Sequence, residues 1–292
     1  MVANTARFLM CEPRHFGVTY AINPWMDPTS WARRSHTLIS ASRREWAGLH
    51  RALRGLGAAI ELVPPVPGLP DLVFTANAAV VLDRKVVLAR FRYPERAGEE
   101  PHFEAAFRAL QARGLIDAVT TLPESIVLEG AGDCVFDRTR NMFWTGYGLR
   151  SDRGAAALIG QAFAVEAVPL ELADPRFYHL DTAFCPLTGG EALFVPEAFT
   201  PLALAALRER RTPEELIEVG IEDASKLAAN AVCIGDAIVM SECGERLRSE
   251  LSERGYRVLA APLPSFLRSG GSAFCLTLRL DLQSRAALAA VA

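Results

Sequence analysis

Apolar positions along the chain follow two periodicities in a fixed order. A segment with apolar residues at helical spacing precedes a short apolar strand, and two further apolar runs around a polar turn then indicate a β-hairpin. The first unit comprises a predicted helix over residues 40–56, a strand over 59–63 and a hairpin over 71–89. We therefore predict an α/β fold built from repeated units.

The same order recurs further along the chain. The predicted helix, strand and hairpin of the later units are 101–113, 118–122 and 126–147; 151–164, 167–170 and 178–195; and 201–210, 216–219 and 229–240. A last helix and strand, 242–255 and 257–260, precede an apolar run after Cys275. We expect the partner of this run to be the first strand, predicted over residues 7–13.

One polar landmark in each hairpin keeps a nearly constant spacing. The landmarks are Asn77, Glu129, His179, Asn230 and Cys275, and they are 52, 50, 51 and 45 positions apart. A repeated unit of this length cannot bury its apolar face alone, so it indicates a stacked or circular arrangement. If the last hairpin borrows the first strand, five units close into a ring and the landmarks meet at its centre.

Composition narrows the class of protein. The 292 residues are 50% hydrophobic and 22% charged, with a net charge of −3, as is typical of a soluble globular protein. No basic block is present, so we expect no nucleic acid partner. No apolar run approaches the roughly 20 residues of a membrane span, and the start of the chain lacks a signal-peptide pattern. The six scattered cysteines form no C-x-x-C pair, so we expect a reduced, cytoplasmic protein with no membrane partner.

Three residue types suggest chemistry. Cys275 follows Gly270 and Gly271, where a tight turn can enter the core and hold a nucleophile. A lone cysteine is more often a small buried apolar residue. His179 and Asp181 would share one face of a strand, which is also typical of a structural hydrogen-bonded pair.

Four segments together resemble the guanidino-group-modifying enzymes, which include amidinotransferases, arginine deiminases, dimethylarginine dimethylaminohydrolases and arginine dihydrolases. They are residues 70–77, 129–133, 179–182 and 270–275, in the order found in that superfamily. The resemblance implies the pentein fold, a five-bladed β/α propeller with pseudo-fivefold repeats. It also implies that residues 1–292 form a single catalytic domain.

Within the superfamily the chain most resembles the arginine dihydrolases. The matching segments are residues 9–11, 22–26, 74–78, 95–96 and 177–182. Deiminases and dimethylarginine hydrolases usually carry an aspartate at the position of Asn77. Dihydrolases carry an asparagine there, as this chain does. An amide serves both a cationic guanidinium and a neutral ureido group, whereas a buried carboxylate facing a neutral ligand keeps an uncompensated charge. The resemblance thus implies hydrolysis of L-arginine to ornithine, carbon dioxide and ammonia.

The resemblance also implies roles for individual residues. Cys275 would attack the guanidinium carbon to give a covalent intermediate. His179, oriented by Glu129, would protonate the leaving amine and then activate water. No metal or organic cofactor is required.

Further positions would bind the small-molecule substrate. Asn77 and Asp181 would hold the guanidino nitrogens, and Asp71 would receive the α-ammonium group. Arg96 and Arg150 would bind the carboxylate, for which a planar fork of donors is suited.

Several alternatives stay open at the level of sequence. Asn23 would lie on a mobile loop over the pocket, although Asn23 and Pro24 also fit an ordinary turn. Without the resemblance, the two arginines also fit surface ion pairs. Phe274 stands where many superfamily members have a histidine.

The competing functions are single-step hydrolysis of arginine or methylated arginine to citrulline, amidino transfer to an amine, and a pentein that binds without catalysis. A homo-oligomer is also compatible with the sequence.

Overall fold

The strands form five three-stranded sheets that share one topology. The computed structural model describes residues 5–291. Within them the strands are β1 (Arg7–Cys11), β2 (Ala59–Val63), β3 (Ala79–Leu82), β4 (Lys85–Leu88), β5 (Ala118–Thr120), β6 (Cys134–Asp137), β7 (Met142–Tyr147), β8 (Glu166–Glu171), β9 (Phe184–Pro186), β10 (Ala192–Phe194), β11 (Leu216–Glu218), β12 (Val232–Ile234), β13 (Ala237–Met240), β14 (Arg257–Ala260) and β15 (Leu278–Arg279).

The sheets have the strand orders β3-β4-β5, β6-β7-β8, β9-β10-β11, β12-β13-β14 and β15-β1-β2. We call the first strand in each order the inner strand. In each sheet it runs antiparallel to the middle strand, which is parallel to the outer one. Leu278 pairs with Leu9 and Arg279 with Phe8, so the N-terminal strand completes the fifth sheet. This pairing confirms the predicted closure.

Helices make the crossovers from middle to outer strands, which parallel neighbours require. The helices of the described residues are α1 (Pro28–Gly55), α2 (Pro94–Ala97), α3 (Glu100–Ala112), α4 (Ala155–Phe163), α5 (Pro201–Arg208), α6 (Ile221–Ala224), α7 (Glu245–Glu253), α8 (Pro264–Leu267) and α9 (Arg285–Val291). Helix α1 buries one apolar face, which includes Trp31, Leu49 and Leu53. No helix within the described residues is both long enough and apolar enough to cross a membrane.

The predicted start of the first helix was wrong. Helix α1 begins at Pro28 rather than at residue 40. The Asp27 carboxylate accepts a hydrogen bond from the backbone N–H of Ser30 at 2.9 Å, and a proline in the first turn needs no backbone donor. The helix therefore begins at this cap and continues through a polar stretch in which apolar periodicity does not indicate a helix.

The segments that precede three inner strands were also predicted wrongly. We expected the hairpins over 71–89, 126–147 and 178–195 to be extended from their first residues, but 3₁₀ turns occupy Pro70–Val73, Thr75–Ala78, Gly130–Gly132 and Leu180–Thr182. Strand alternation therefore does not govern the direction of the polar side chains there. The turns themselves position these side chains at the entrance of each inner strand.

Candidate active site

The five landmark residues all lie shortly before an inner strand. Asn77 precedes β3, Glu129 precedes β6, His179 precedes β9, Asn230 precedes β12 and Cys275 precedes β15. Each of these side chains is buried, with an exposed fraction of 2% or less. The repeat therefore brings together residues that are far apart in sequence, as predicted.

The sulfur of Cys275 has two polar partners. Its thiol donates to Asp181 Oδ2 at 3.1 Å, and Asn230 Nδ2 donates to Sγ at 3.1 Å. Burial, together with the negative charge of Asp181, raises the pKa of the thiol well above its ordinary value. Burial likewise raises the pKa of Asp181 to about 7. Cys275 is therefore a thiol at neutral pH, and it needs a proton acceptor or a nearby cation to become a nucleophile.

The other carboxylate oxygen of Asp181 has an unusual environment. Oδ1 is buried and has no hydrogen-bond partner among the described residues. A buried acceptor without a donor costs about 1–3 kcal/mol. A planar cation with several N–H groups would satisfy this oxygen beside the sulfur.

His179 is held by a buried carboxylate. Its Nε2 lies 2.7 Å from Glu129 Oε2, which also accepts from Arg150 Nη1 at 2.9 Å. Although burial disfavours the carboxylate, the Arg150 charge and the His179 hydrogen bond lower the pKa of Glu129 to about 2. Glu129 is therefore ionised at neutral pH. The Glu129 carboxylate favours a proton on Nε2, and Nδ1 lies on the other side of the imidazole ring.

Asn77 connects the imidazole with the pocket. Its Oδ1 accepts from Arg96 Nη1 at 2.9 Å, which fixes the orientation of the amide. Its Nδ2 then lies 3.5 Å from His179 Nδ1 and donates to the backbone oxygen of Glu129 at 3.3 Å. A Cβ on Gly132 would come within 2.2 Å of Nδ2, so only glycine allows this approach.

Arg96 and Arg150 are fully enclosed. Arg96 makes two hydrogen bonds to the Glu99 carboxylate, at 2.9 and 2.8 Å. The Arg150 guanidinium lies between the rings of Tyr93 and Tyr178, 4.7 and 4.6 Å from their centroids. The interpretation of these arginines as surface ion-pair residues is therefore wrong. Both line the same small cavity as Cys275.

The N-terminal loop closes over this cavity. Tyr20 donates its hydroxyl to Asp71 Oδ2 at 2.8 Å, and Ser269 donates to Asp71 Oδ1 at 3.3 Å. Asn23 Nδ2 donates to the backbone oxygen of Ser269 at 3.1 Å. The cavity measures about 10 Å³, which is room for about one water molecule. An amino acid is larger than this volume, so it would fit only if residues of the lining moved.

The arrangement combines a nucleophile, an imidazole with a carboxylate, and paired charges for a zwitterion. No hydrogen bond joins His179 to Cys275 within residues 5–291; Asn77 contacts the first and lines the cavity with the second. No group of three or more His, Cys, Asp or Glu side chains in the described chain could hold a metal ion. The chemistry that these groups can perform is covalent catalysis with proton transfer.

Sequence reasoning missed Asn230 as a functional residue. It served only as a spacing landmark, yet its side chain contacts the sulfur directly. Tyr20 and Ser269 were also missed, because their contact with Asp71 joins segments far apart in the chain. The repeat gave a usable signal only for Asn230, since it occupies the position equivalent to four residues with predicted roles.

Comparison with known proteins places these residues in a family. A model described as eukaryotic N,N dimethylarginine dimethylhydrolase matches residues 12–282. The bifunctional arginine dihydrolase/ornithine cyclodeaminase ArgZ of Synechocystis sp. is 42% identical over 279 residues, which cover 96% of this chain and 38% of ArgZ. The N(G),N(G)-dimethylarginine dimethylaminohydrolase of Mycobacterium tuberculosis is 36% identical, over 94% of this chain and 86% of that protein. The chain thus spans well under half the length of ArgZ.

Solved structures agree with the sequence comparison. The substrate-bound N-terminal domain of ArgZ, an arginine dihydrolase from cyanobacteria, superimposes with a TM-score of 0.87 at 41% identity. The match covers 95% of this chain and 99% of that one. A dimethylarginine dimethylaminohydrolase structure that is 20% identical has a TM-score of 0.74 and shares the fold. These matches confirm the predicted five-bladed pentein.

Proposed function

Because the chain belongs to the N,N dimethylarginine dimethylhydrolase family, we propose that it hydrolyses the guanidino group of L-arginine. The products are ornithine, carbon dioxide and ammonia. The observation that carries this proposal is Asp181, which accepts from the Cys275 thiol through one oxygen and has a second, unpartnered oxygen beside it. Similarity to the cyanobacterial arginine dihydrolases supports the choice of substrate.

The charges around the cavity suit arginine as a zwitterion with a cationic side chain. The guanidinium would donate to Asp181 Oδ1 and the α-ammonium group would replace the Tyr20 hydroxyl on Asp71. Arg96 and Arg150 would receive the substrate carboxylate. The loop that carries Asn23 would open to admit arginine and close again, which excludes bulk water.

In the first half-reaction the substrate itself would activate the sulfur. A guanidinium beside Asp181 offsets the negative charge that opposes thiolate formation. His179 enters this step as the imidazolium. The Cys275 sulfur then bonds to the central carbon, its proton passes to Asp181, and the C–N bond to ammonia breaks as His179 gives one proton to the leaving nitrogen. An amidino-thioether remains on Cys275.

Water completes this half and the cycle repeats. His179 takes a proton from water, and the oxygen bonds to the same carbon. The carbon–sulfur bond breaks as Asp181 returns its proton to the sulfur, and citrulline is released when its O–H proton passes to the ammonia. A second attack on the ureido carbon expels another ammonia and leaves a thiocarbamate. Its hydrolysis gives a carbamic acid that separates into carbon dioxide and ornithine. Overall, one arginine and two waters give one ornithine, one carbon dioxide and two ammonia.

A second candidate function is hydrolysis of methylated arginine to citrulline and an amine. The similarity to the Mycobacterium tuberculosis enzyme favours it, because that match covers most of both chains. Asn77 favours the dihydrolase, since its amide faces the reaction centre without adding a negative charge against a neutral ureido group.

We also propose that residues 1–292 act as one catalytic domain in the cytoplasm. The five-sheet repeat, whose last sheet uses the first strand, supports a single unit. All six cysteines are free thiols in the described chain, which is compatible with a reducing compartment.

The proposed function is tested by trapping the intermediate. The protein is mixed with L-arginine, quenched in acid and analysed by peptide mass spectrometry, with Cys275→Ser and Cys134→Ser compared in parallel. We expect a covalent adduct on Cys275 in the wild type and in Cys134→Ser, and neither adduct nor turnover in Cys275→Ser. Turnover by Cys275→Ser would exclude the proposal. Turnover of dimethylarginine but not of arginine would favour the second candidate.

A further inference from the structure

A second cavity lies between the five inner strands. It measures about 90 Å³, and residues of all five inner strands line it, among them Val80, Phe136, Cys185, Cys233 and Leu278. Each inner strand begins beside the candidate active site and runs away from it. The lining extends from Ala231 and Phe274, which adjoin site residues, to Arg138 and Thr188 in the turns at the far ends of the strands. It shares no lining residue with the cavity around Cys275.

The wall of this second cavity is apolar. Thr188 donates its hydroxyl to the backbone oxygen of Gly235, and Thr277 donates to that of Ala273 at 3.1 Å, so both are satisfied within the protein. Three lining cysteines are free thiols whose pKa burial raises, so they are neutral at pH 7; they are Cys134, Cys185 and Cys233. The wall thus offers a ligand little except hydrocarbon, aromatic and sulfur surface.

Two arginines of the lining differ sharply in their partners. Arg279 donates twice to the carboxylate of Asp281, at 3.0 and 3.1 Å, which offsets its charge. Arg138 is exposed, and its guanidinium makes no hydrogen bond or ion pair in the part of the chain that the structure describes. Burial of part of its side chain and the nearby Arg279 charge lower the pKa of Arg138, although the Asp281 carboxylate acts in the opposite direction. An anion beside the Arg138 guanidinium would raise the pKa of Arg138 toward its ordinary value.

We propose that this cavity binds a small monocarboxylate with an apolar tail. The tail would occupy the cavity and the carboxylate would pair with Arg138, whose planar fork of donors suits two carboxylate oxygens. An engineered cavity of about 150 Å³ accepts benzene, so about 90 Å³ corresponds to a tail of roughly four or five carbons. An α-amino acid fits poorly, because its ammonium group would lie between an apolar wall and the Arg138 cation. The ligand is therefore distinct from the proposed substrate.

Head-group chemistry distinguishes this site from a simple packing defect. A defect would take any apolar molecule of suitable size, with no preference among polar ends. The proposed site prefers an anion over a neutral molecule and rejects a cation. Hexanoate, hexan-1-ol and hexylammonium share one tail and differ only in the head group, so they separate these cases.

Ligand-observed NMR titration of the full-length protein with these three probes tests the proposal. The variants are Arg138→Gln, with the exposed Arg34→Gln as matched control, and Leu282→Trp, which adds bulk to the cavity lining. We expect hexanoate to bind more tightly than hexan-1-ol, and hexylammonium not to bind. Arg138→Gln should weaken hexanoate binding by about two- to fivefold, the value of one solvent-exposed ion pair, and leave hexan-1-ol binding unchanged. Arg34→Gln should change neither, and Leu282→Trp should weaken both.

Two results would overturn the proposal. One is equal binding of hexanoate to the wild type and to Arg138→Gln, which would show a packing defect. The other is absence of hexanoate binding to the wild type while its fold is intact by circular dichroism. The readout does not depend on turnover, so it stands apart from the test of the proposed arginine chemistry.

Discussion

Asn230 holds Cys275 at two points. Its Nδ2 donates to the sulfur at 3.1 Å, while its Oδ1 accepts from the backbone N–H of Cys275 at 3.1 Å. The same oxygen accepts from the backbone N–H of Ser272 at 3.2 Å, and Nδ2 also donates to the backbone oxygen of Asp181 at 3.0 Å. One buried amide therefore fixes the turn, the nucleophile and the carboxylate that accepts its proton.

Substitution of Asn230 should separate fold stability from thiol reactivity. Asn230→Ala leaves two buried N–H groups without an acceptor, so we expect a loss of about 2–5 kcal/mol in the free energy of unfolding. Asn230→Asp keeps the acceptor but replaces the donor to sulfur with a negative charge. It should therefore retain more stability while iodoacetamide alkylates Cys275 at least about tenfold more slowly at pH 8. Peptide mass spectrometry measures the alkylation, and a wild-type rate in Asn230→Asp would contradict this role.

Loss of the Glu129 charge should destabilise the protein strongly. Glu129→Gln leaves the buried Arg150 guanidinium without its carboxylate, and breaking a buried pair in this way costs about 3–5 kcal/mol. The matched control is Glu104→Gln, which breaks an exposed pair with Arg108 and should cost less than about 0.5 kcal/mol. Urea denaturation at pH 7 compares the two. Similar midpoints for both variants would argue against a fixed charge at Glu129.

The pH profile of arginine turnover should report Asp181. Burial raises its pKa to about 7, so the carboxylate that we propose as the guanidinium acceptor forms only as the pH rises through this value. We expect kcat/KM, which reflects the free enzyme, to increase with pH around a midpoint near 7. Bound guanidinium favours the carboxylate, so the corresponding limb of kcat should lie at lower pH. With neutral citrulline as the substrate, the kcat limb should not shift to lower pH. Identical midpoints for kcat and kcat/KM with arginine would contradict the assignment of this limb to Asp181.

Asn77→Asp should uncouple the two hydrolytic steps. The carboxylate still attracts a guanidinium, but against a ureido group it stays uncompensated in a buried site. We expect citrulline to accumulate from arginine, with ornithine formation reduced by more than about 100-fold, the rate equivalent of about 3 kcal/mol. Chromatography of both amino acids over time measures this. Equal loss of both steps would show that Asn77 only supports the structure.

Periodic apolar runs predicted the five-unit order and its closure, because each hairpin needs strand alternation and a polar turn that are visible locally. The start of α1 escaped prediction since it depends on the Asp27 cap rather than on apolar spacing. The sequence placed Cys275, His179 and Glu129 together, but not the Asn230 hydrogen bond to sulfur, because a lone amide carries no chemical signature. The hydrogen bond from Tyr20 to Asp71 joins residues far apart in sequence, so the sequence did not indicate it either.

The stoichiometry of arginine consumption tests the central claim most directly. The protein is incubated with L-arginine until the substrate is exhausted, and citrulline, ornithine and ammonia are quantified. We predict one ornithine and two ammonia for each arginine, with citrulline only as a transient species. Citrulline formed in equal amount to the arginine consumed, with one ammonia and no ornithine, would contradict the account.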